Sequence, residues 1–150
     1  MAALVHCIYA SNETHRFEPP ELIELLQKAR ANNAGLGITG MLLYSEGSFF
    51  QVLEGAPEVV EALFGAIGRD ERHEKVTRII FEPIPKRHFG EWTMGFASVT
   101  REELERLAGA NDFFAGGQCL ADLDAGRSKK LLEAFRKGRW RDRLAIVPKA

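Results

Sequence analysis

The chain has few of the residues that mark secreted or metal-binding proteins. Only two cysteines, Cys7 and Cys119, occur among its 150 residues, and they lie far apart. This argues against a disulfide framework and favours a reducing compartment. The four histidines show no metal-ligand spacing, and the sequence contains no HExxH or CxxC motif. We therefore expect neither a structural metal nor metal-dependent hydrolysis.

Long apolar runs are also missing. No segment approaches the roughly 20 apolar residues of a membrane-spanning helix, and the N-terminus lacks the basic and apolar regions of a signal peptide. We expect a cytoplasmic protein that does not associate with membranes. The formal net charge of −1 argues against direct binding of nucleic acid. Residues 127–150 nevertheless carry nine basic and two acidic side chains. A solvated helix face is the simpler interpretation of this excess, and an acidic partner stays open.

Apolar periodicity and turn residues predict the order β-α-β-β-α-β-β. Strands are predicted over residues 4–10, 38–44, 48–55, 76–81 and 92–99. The two helices begin at Pro19-Pro20 and Pro57, since proline is tolerated in a first helical turn. The first is predicted to end at Asn32, Asn33 and Gly35, because asparagine and glycine accept the left-handed C-terminal position. Both carry apolar stripes with helical spacing. The order is the ferredoxin-like α+β pattern with an added fifth strand, and both helices should cover one face of an antiparallel-rich sheet.

The last third of the chain changes character. Thr100 followed by Glu103 is a capping box, which predicts a short helix. After a Gly-Gly break, Ser128 is predicted to cap a final helix. Residues 101–150 are too few for an independent domain, so we divide the chain into a domain of residues 1–100 and a C-terminal helical extension. The extension is expected to cover the other sheet face.

A glutamine stands in the middle of the apolar strand Phe49-Phe50-Gln51-Val52-Leu53. Strand alternation places Phe49, Gln51 and Leu53 on one face. Burying the carboxamide without partners would cost about 1–3 kcal/mol, so some polar group must form hydrogen bonds with it. From the strand alone, a core amide bonded to the backbone is the simpler interpretation, and a bound ligand is the alternative.

Further polar and aromatic side chains are predicted to meet Gln51 between the two helices and the sheet. They lie on predicted strands or near the helix ends: Tyr9, Asn32, Asn33, Arg72, His73, Trp92 and Met94. A planar heteroaromatic ligand would find apolar walls in Leu25 and Ile67, amide partners for its polar edge, and Arg72 for a phosphate. Taken singly, each of these residues also has a purely structural explanation.

Six segments resemble the BLUF family of blue-light sensors using FAD, over about residues 4–98. They are Tyr9-Ala10-Ser11, Ala31-Asn32-Asn33, residues 37–42 (GITGML), 49–55 (FFQVLEG), 69–73 (RDERH) and 89–94 (FGEWTM). Each segment alone has little specificity, whereas all six in order at family spacing form a strong match. The resemblance implies the same ferredoxin-like fold, with a flavin held between the two helices. Because no catalytic or DNA-binding domain follows residue 100, a short single-domain member is expected.

The resemblance also implies a photochemical mechanism. Tyr9 matches the tyrosine that passes an electron and a proton to the excited flavin. Gln51 matches the glutamine between that tyrosine and the flavin ring, and Asn33 matches the amide at the polar edge of the flavin. Rotation of the Gln51 amide, or a shift to its imidic tautomer, would rewire the hydrogen bonds and move the flavin absorption to the red.

Other positions carry over from the family with their roles. Asn32, Arg72 and His73 match positions lining the flavin or its phosphate side, while Trp92 and Met94 match the pair that passes the signal outward. The resemblance implies non-covalent FAD, with FMN as the other flavin, and a photoreceptor rather than an enzyme. We expect the signal to reach a separate partner protein or to alter self-assembly, with a homo-oligomer and with residues 101–150 as the output surface.

Two alternatives stay open on the residues themselves. A small enzyme of acylphosphatase type would need an arginine and an asparagine around a phosphate, and Arg72 and Asn33 are available. However, no phosphate-cradling loop follows the first strand. The other alternative is a flavin-free interaction module of the same fold. The colour of the purified protein separates these two from a flavoprotein.

Overall fold

The structure is a computed structural model and describes residues 3–90, 93–100, 102–103, 120 and 123–137. Within these residues the elements follow in this order: β1 (Val5–Glu13), α1 (Pro19–Leu36), β2 (Thr39–Ser45), β3 (Ser48–Gly55), α2 (Pro57–Gly68), β4 (His73–Pro83), β5 (Gly95–Ser98) and α3 (Ala125–Lys137). The predicted order of strands and helices is confirmed.

The strands form one sheet in the order β4-β1-β3-β2-β5. Pairing is antiparallel between β4, β1, β3 and β2, and β5 adds in parallel beside β2. This is the predicted ferredoxin-like arrangement with a fifth strand at one edge. Because β1 and β3 are central neighbours, side chains on them have the greatest chance of complete burial.

The two sheet faces carry separate apolar layers. Residues of α1 and α2 pack with Val5, Cys7 and Tyr9 of β1 on one face. On the other face, Leu131 and Leu132 of α3 join a cluster with side chains of β1, β2, β3 and β5. The expectation that the C-terminal extension covers the face opposite α1 and α2 is therefore confirmed for α3. Among the described helices, none combines the length and the apolarity needed to cross a lipid bilayer.

Helix α1 runs past its predicted end. The sequence suggested that Asn32, Asn33 and Gly35 stop it, but the helix continues to Leu36. Gly37, with φ 69°, takes the left-handed position, and its N–H donates to the carbonyl oxygen of Asn33. Asparagine tolerates this conformation, yet glycine adopts it without a Cβ penalty. Asn32 and Asn33 therefore project from regular helix rather than from a loop.

The predictions for the C-terminal helices have different outcomes. The capping box is present, since the Thr100 N–H donates to Glu103 Oε1 at 3.2 Å and the Glu103 N–H donates to Thr100 Oγ at 3.2 Å. The prediction that Ser128 caps the last helix was wrong. Asp124 is the cap, because its Oδ1 accepts from the Arg127 N–H at 2.9 Å. Ser128 lies one turn inside α3, with its side chain buried.

Two strand boundaries also differ from the prediction. Strand β4 begins at His73 rather than at residue 76, so the RDERH segment leads directly into the sheet. Strand β5 begins at Gly95 rather than at residue 92, so Met94 immediately precedes the strand. Trp92, predicted to lie on this strand with Met94, is outside the described residues.

A buried carboxylate ties the segment before β5 to the sheet. Glu54 on β3 is fully buried. Its Oε1 accepts from Thr39 Oγ at 2.9 Å and from the Phe89 N–H at 3.0 Å, and its Oε2 accepts from the His88 N–H at 2.6 Å. Arg87 donates to Thr39 Oγ at 2.8 Å and to the Glu54 carbonyl oxygen at 3.1 Å. Glu54 therefore anchors residues 87–89, which lead toward Met94.

Glu54→Gln is expected to lower the free energy of unfolding by about 2–4 kcal/mol, because an NH₂ group replaces an acceptor that faces buried donors. Urea denaturation measures the change. Glu74→Gln, at an exposed carboxylate of β4, is the matched control and should stay within about 0.5 kcal/mol of wild type. Equal stabilities of the two variants would contradict the anchoring role.

Candidate functional site

Three buried side chains form a hydrogen-bonded chain on the face covered by α1 and α2. The Tyr9 hydroxyl donates to Gln51 Oε1, and Gln51 Nε2 donates to Met94 Sδ at 3.4 Å. Tyr9 is 3% exposed, Gln51 6% and Met94 1%. The predicted contact between the Tyr9 hydroxyl and the Gln51 amide is present. Among the residues that the structure describes, the amide therefore bonds to side chains and not to the backbone, contrary to the simpler interpretation of its strand.

The sheet register produces the contact between the tyrosine and the glutamine. Tyr9 on β1 is directly opposite Gln51 on β3. Side chains of directly opposed residues in an antiparallel pair emerge on the same face with neighbouring Cβ atoms. Strand alternation sends both side chains toward the helices, so the hydroxyl and the amide meet without help from a loop.

The environment of Tyr9 keeps its phenol protonated. Burial raises the pKa of the Tyr9 hydroxyl far above its ordinary value. Its ring packs against Phe64 with 5.4 Å between ring centroids and meets the edge of His73 at 6.4 Å. A phenol held neutral in this way releases an electron readily only if its proton leaves too. In this structure the hydroxyl proton is shared in a hydrogen bond with Gln51 Oε1.

A cavity of about 320 Å³ lies beside this chain, between α1, α2 and the sheet. Every predicted cofactor-binding or switch residue that the structure describes lines it: Tyr9, Leu25, Asn32, Asn33, Gln51, Ile67, Arg72, His73 and Met94. Most of the remaining lining is apolar, including Phe17 and Leu63. A cavity of this kind, apolar with a few convergent polar groups, suits a planar heteroaromatic ligand.

His73 is locked in one orientation on the cavity wall. Its Nε2 lies 2.7 Å from the Ile67 carbonyl oxygen, and its Nδ1 lies 2.8 Å from Ser11 Oγ. A carbonyl only accepts, so Nε2 carries a proton and Nδ1 is free to accept from the serine hydroxyl. Ser11 belongs to the Tyr9-Ala10-Ser11 segment, and the structure gives this serine a task that the sequence did not indicate.

Asn33 connects the cavity to the segment before β5. Its Nδ2 donates to the Thr93 carbonyl oxygen at 2.8 Å, and its side chain is buried. Within the described residues this bond uses one amide hydrogen. The amide oxygen and the second hydrogen remain for the polar edge of a ligand.

Charged side chains stand at the rim of the cavity. Arg72 Nη2 donates to Asp70 Oδ2 at 2.5 Å, and hydrogen bonding from Arg72 lowers the pKa of Asp70 to about 2. Lys28 also lines the cavity and pairs with Glu24 at 3.1 Å. Sequence reasoning missed Lys28 and Asp70. Lys28 could have been found, because it follows Leu25 at i+3 and so faces the same side of α1.

Comparison with known proteins decides the family. The model for BLUF, described as sensors of blue-light using FAD, matches residues 4–95. The chain belongs to the BLUF family. The predicted family is thus confirmed, and this BLUF assignment answers the choice that the residues alone left open between a light sensor and an acylphosphatase-type enzyme.

The relatives of this BLUF chain differ in length and setting. The photoactivated adenylate cyclase subunit alpha of Euglena gracilis is 38% identical over 85 residues, which are 57% of this chain and 8% of that protein. The chain therefore spans less than a tenth of that curated relative. That relative is named as an enzyme, and this chain matches only a segment of 85 residues in it.

Two solved structures extend the comparison. The ground state of BlsA matches with a TM-score of 0.75 and 28% identity, over 98% of this chain and 91% of that chain. Klebsiella pneumoniae BlrP1, solved with FMN and cyclic diGMP, matches with a TM-score of 0.63 and 31% identity, over 92% of this chain and 36% of that chain. These similarities confirm the predicted ferredoxin-like α+β fold.

Proposed function

We propose that this chain is a blue-light photoreceptor that binds FAD or FMN non-covalently between α1 and α2 and turns over no substrate. The observation that carries the proposal is the buried chain from Tyr9 through Gln51 to Met94 at the wall of an apolar cavity. A core that needed only packing would not place a phenol, an amide and a thioether in series there.

The residues present fit a flavin. Leu25 and Ile67 flank the cavity from the two helices as apolar walls, and Asn33 has hydrogen-bonding capacity left for a polar ring edge. Arg72 and Lys28 supply positive charge at the rim, where a phosphate arm would leave. Bound there, the flavin would supply a strong one-electron oxidant after absorbing blue light.

Different side chains around the cavity donate the electron, carry the proton and exclude water. Tyr9 is the donor, and burial keeps its proton on the phenol until the electron leaves. Gln51 Oε1 holds the hydrogen bond along which that proton moves. The apolar walls exclude water, so the proton has few other destinations.

Gln51 has the properties of a two-state element. Its Oε1 accepts from Tyr9, while its Nε2 donates, within residues 3–90 and 93–100, to a thioether alone, and a thioether is a weak acceptor. Turning the amide over, or shifting it to the imidic form, therefore sacrifices one weak bond and presents different groups to Tyr9 and to the cavity. Neither change requires the backbone of β3 to move.

The route outward runs through β5 to α3. Met94 directly precedes β5, and Ala97 and Val99 in or beside that strand pack in the same apolar cluster as Leu131 and Leu132 of α3. We infer that α3 and the rest of residues 101–150 form the output surface, read by a partner protein or by a second copy of this chain. The cytoplasmic location stays a prediction.

The output proposal is tested by the double reversal Lys130→Glu and Glu133→Lys, both at exposed positions of α3. Self-association is measured by sedimentation velocity, and partner binding by pull-down, each in the dark and under blue light. In this variant we expect both to lose their light dependence while the absorption change remains. Light-dependent assembly or binding at the wild-type level in this variant would contradict the assignment of α3.

A visible absorption spectrum before and after blue light tests the proposed function directly. We expect flavin bands that move to the red on illumination and return in the dark. A flavin spectrum that does not move would mean a binding module without a switch. A colourless protein that takes up neither FAD nor FMN would overturn the proposal in favour of a flavin-free module.

Arg72→Met is expected to weaken binding of FAD and FMN by about tenfold, the effect of losing one charge-assisted contact of roughly 1.4 kcal/mol, and to leave riboflavin binding unchanged. Fluorescence titration of the flavin-free protein measures all three. Arg69→Met removes the same charge three residues earlier and is the matched control, expected to behave as wild type. An equal loss of riboflavin affinity would show that Arg72 shapes the cavity and does not bind a phosphate.

A further inference from the structure

We propose that Arg30 is a positioning residue for the light-driven rearrangement, because it holds the main chain of Met94 and thereby the thioether that accepts from Gln51. Arg30 lies on α1, and its Nε donates to the Met94 carbonyl oxygen at 2.9 Å. The inference rests on the proposed function, because it explains what holds the Met94 thioether beside Gln51, the proposed switch.

Arg30 and Asn33, both on α1, donate hydrogen bonds to the carbonyl oxygens of two consecutive residues. Asn33, one helical turn after Arg30, donates to the Thr93 carbonyl oxygen at 2.8 Å. Arg30 takes the next carbonyl, that of Met94. Two adjacent peptide oxygens held from the same rigid element leave the Met94 main chain little freedom. The thioether consequently stays 3.4 Å from Gln51 Nε2.

Arg30 lies on α1 but is not part of the cavity wall. Asn32, Asn33 and Lys28 line the cavity, whereas Arg30 does not. An effect of Arg30 on the photochemistry must therefore pass through Met94 rather than through contact with the ligand. The Arg30 guanidinium is partly buried, and this burial lowers its pKa. A hydrogen bond to a carbonyl is stronger where the donor is partly shielded from water.

The bond from Arg30 favours the dark arrangement over arrangements in which the main chain of Met94 moves away from Gln51. Such a movement breaks a hydrogen bond from a charged donor, and the return movement forms that bond again. Arg30 therefore stabilises the end point of dark recovery. Without Arg30, the hydrogen bond from Asn33 to the Thr93 carbonyl oxygen is the one of this pair that remains to position Met94.

The test compares Arg30→Met with wild type by the rate at which the red-shifted spectrum decays in the dark. Methionine keeps an unbranched apolar stem and removes the donor. We expect flavin binding to stay close to wild type and the melting temperature to fall by about 2–4 °C, because the folded dark state loses this hydrogen bond. Dark recovery should slow by about fivefold or more, the effect of one charge-assisted hydrogen bond. Arg30→Lys, which keeps a cationic donor, should recover part of the rate.

Arg16→Met serves as the matched control, because it removes the same charge from a side chain that is 86% exposed. Its recovery should equal that of wild type. Recovery of Arg30→Met at the wild-type rate or faster overturns the inference. A wild-type protein without flavin or without a spectral shift would instead overturn the proposed function, so the two failures are distinguishable.

Infrared difference spectra give a readout that a merely structural role would not produce. The chain contains three methionines, so carbonyl-labelled methionine marks very few peptide groups. We expect a labelled carbonyl band in the light-minus-dark spectrum of wild type and the loss of that band in Arg30→Leu, which removes the donor without adding a fourth labelled methionine. The same labelled band in both proteins would show that the Arg30 bond does not change with light.

Discussion

Gln51→Leu is expected to bind flavin and to lose the light-induced red shift entirely. Leucine has nearly the volume of glutamine but neither accepts from Tyr9 nor donates to Met94, so the hydrogen-bonded chain is broken at its centre. The Tyr9 hydroxyl also loses its buried acceptor, which should lower the free energy of unfolding by about 1–3 kcal/mol. Absorption spectra before and after blue light and urea denaturation measure the two effects.

Gln27→Leu is the matched control for the glutamine substitution, because Gln27 is exposed on α1. It removes the same amide and should leave both the shift and the stability at wild-type values. A red shift of normal size in Gln51→Leu would show that the switch lies elsewhere on the cavity wall.

Tyr9→Phe is expected to reduce the yield of the red-shifted state by at least about tenfold and to raise the fluorescence of the bound flavin. The substitution removes the electron and proton donor while keeping the ring that packs against Phe64. Among the described residues that line the cavity, Tyr9 is the only phenol. Fluorescence lifetime and the amplitude of the spectral change after a calibrated light dose measure the effect.

Tyr44→Phe is a matched control within the same chain, which contains only two tyrosines. The Tyr44 hydroxyl donates to Glu13 Oε1 at 2.7 Å, so this substitution also removes a tyrosine hydrogen bond, but away from the cavity wall. Its photochemistry should match wild type. If both variants lost the red-shifted state to the same extent, the loss would reflect general destabilisation rather than the donor role of Tyr9.

The features that sequence reasoning predicted correctly are those encoded by near neighbours along the chain. Alternation in β1 and β3 placed Tyr9 and Gln51 on helix-facing sides, and helical spacing identified the stripes that cover them. The resemblance to BLUF added the link between these two residues and a flavin. The described positions selected in this way line one cavity.

The errors arose where several residues competed for one task. Asn33 and Gly37 are both acceptable at the end of a helix, and the chain turns at the glycine. Asp124 and Ser128 both have side chains that can cap a helix, and the Asp124 carboxylate lies where α3 begins. Local preference ranks such residues but does not choose among them, because the choice depends on where the packed elements force the chain to turn.

By itself the sequence determined which side chains share a face and which chemistry they offer, because both depend on residue type and on spacing within one element. The tertiary structure decided the partners. The register of β1 and β3 puts Tyr9 opposite Gln51, 42 residues away, and the packing of α1 brings Arg30 to a carbonyl 64 residues away. Such contacts have no local signal, because they depend on the joint packing of all the elements around the cavity.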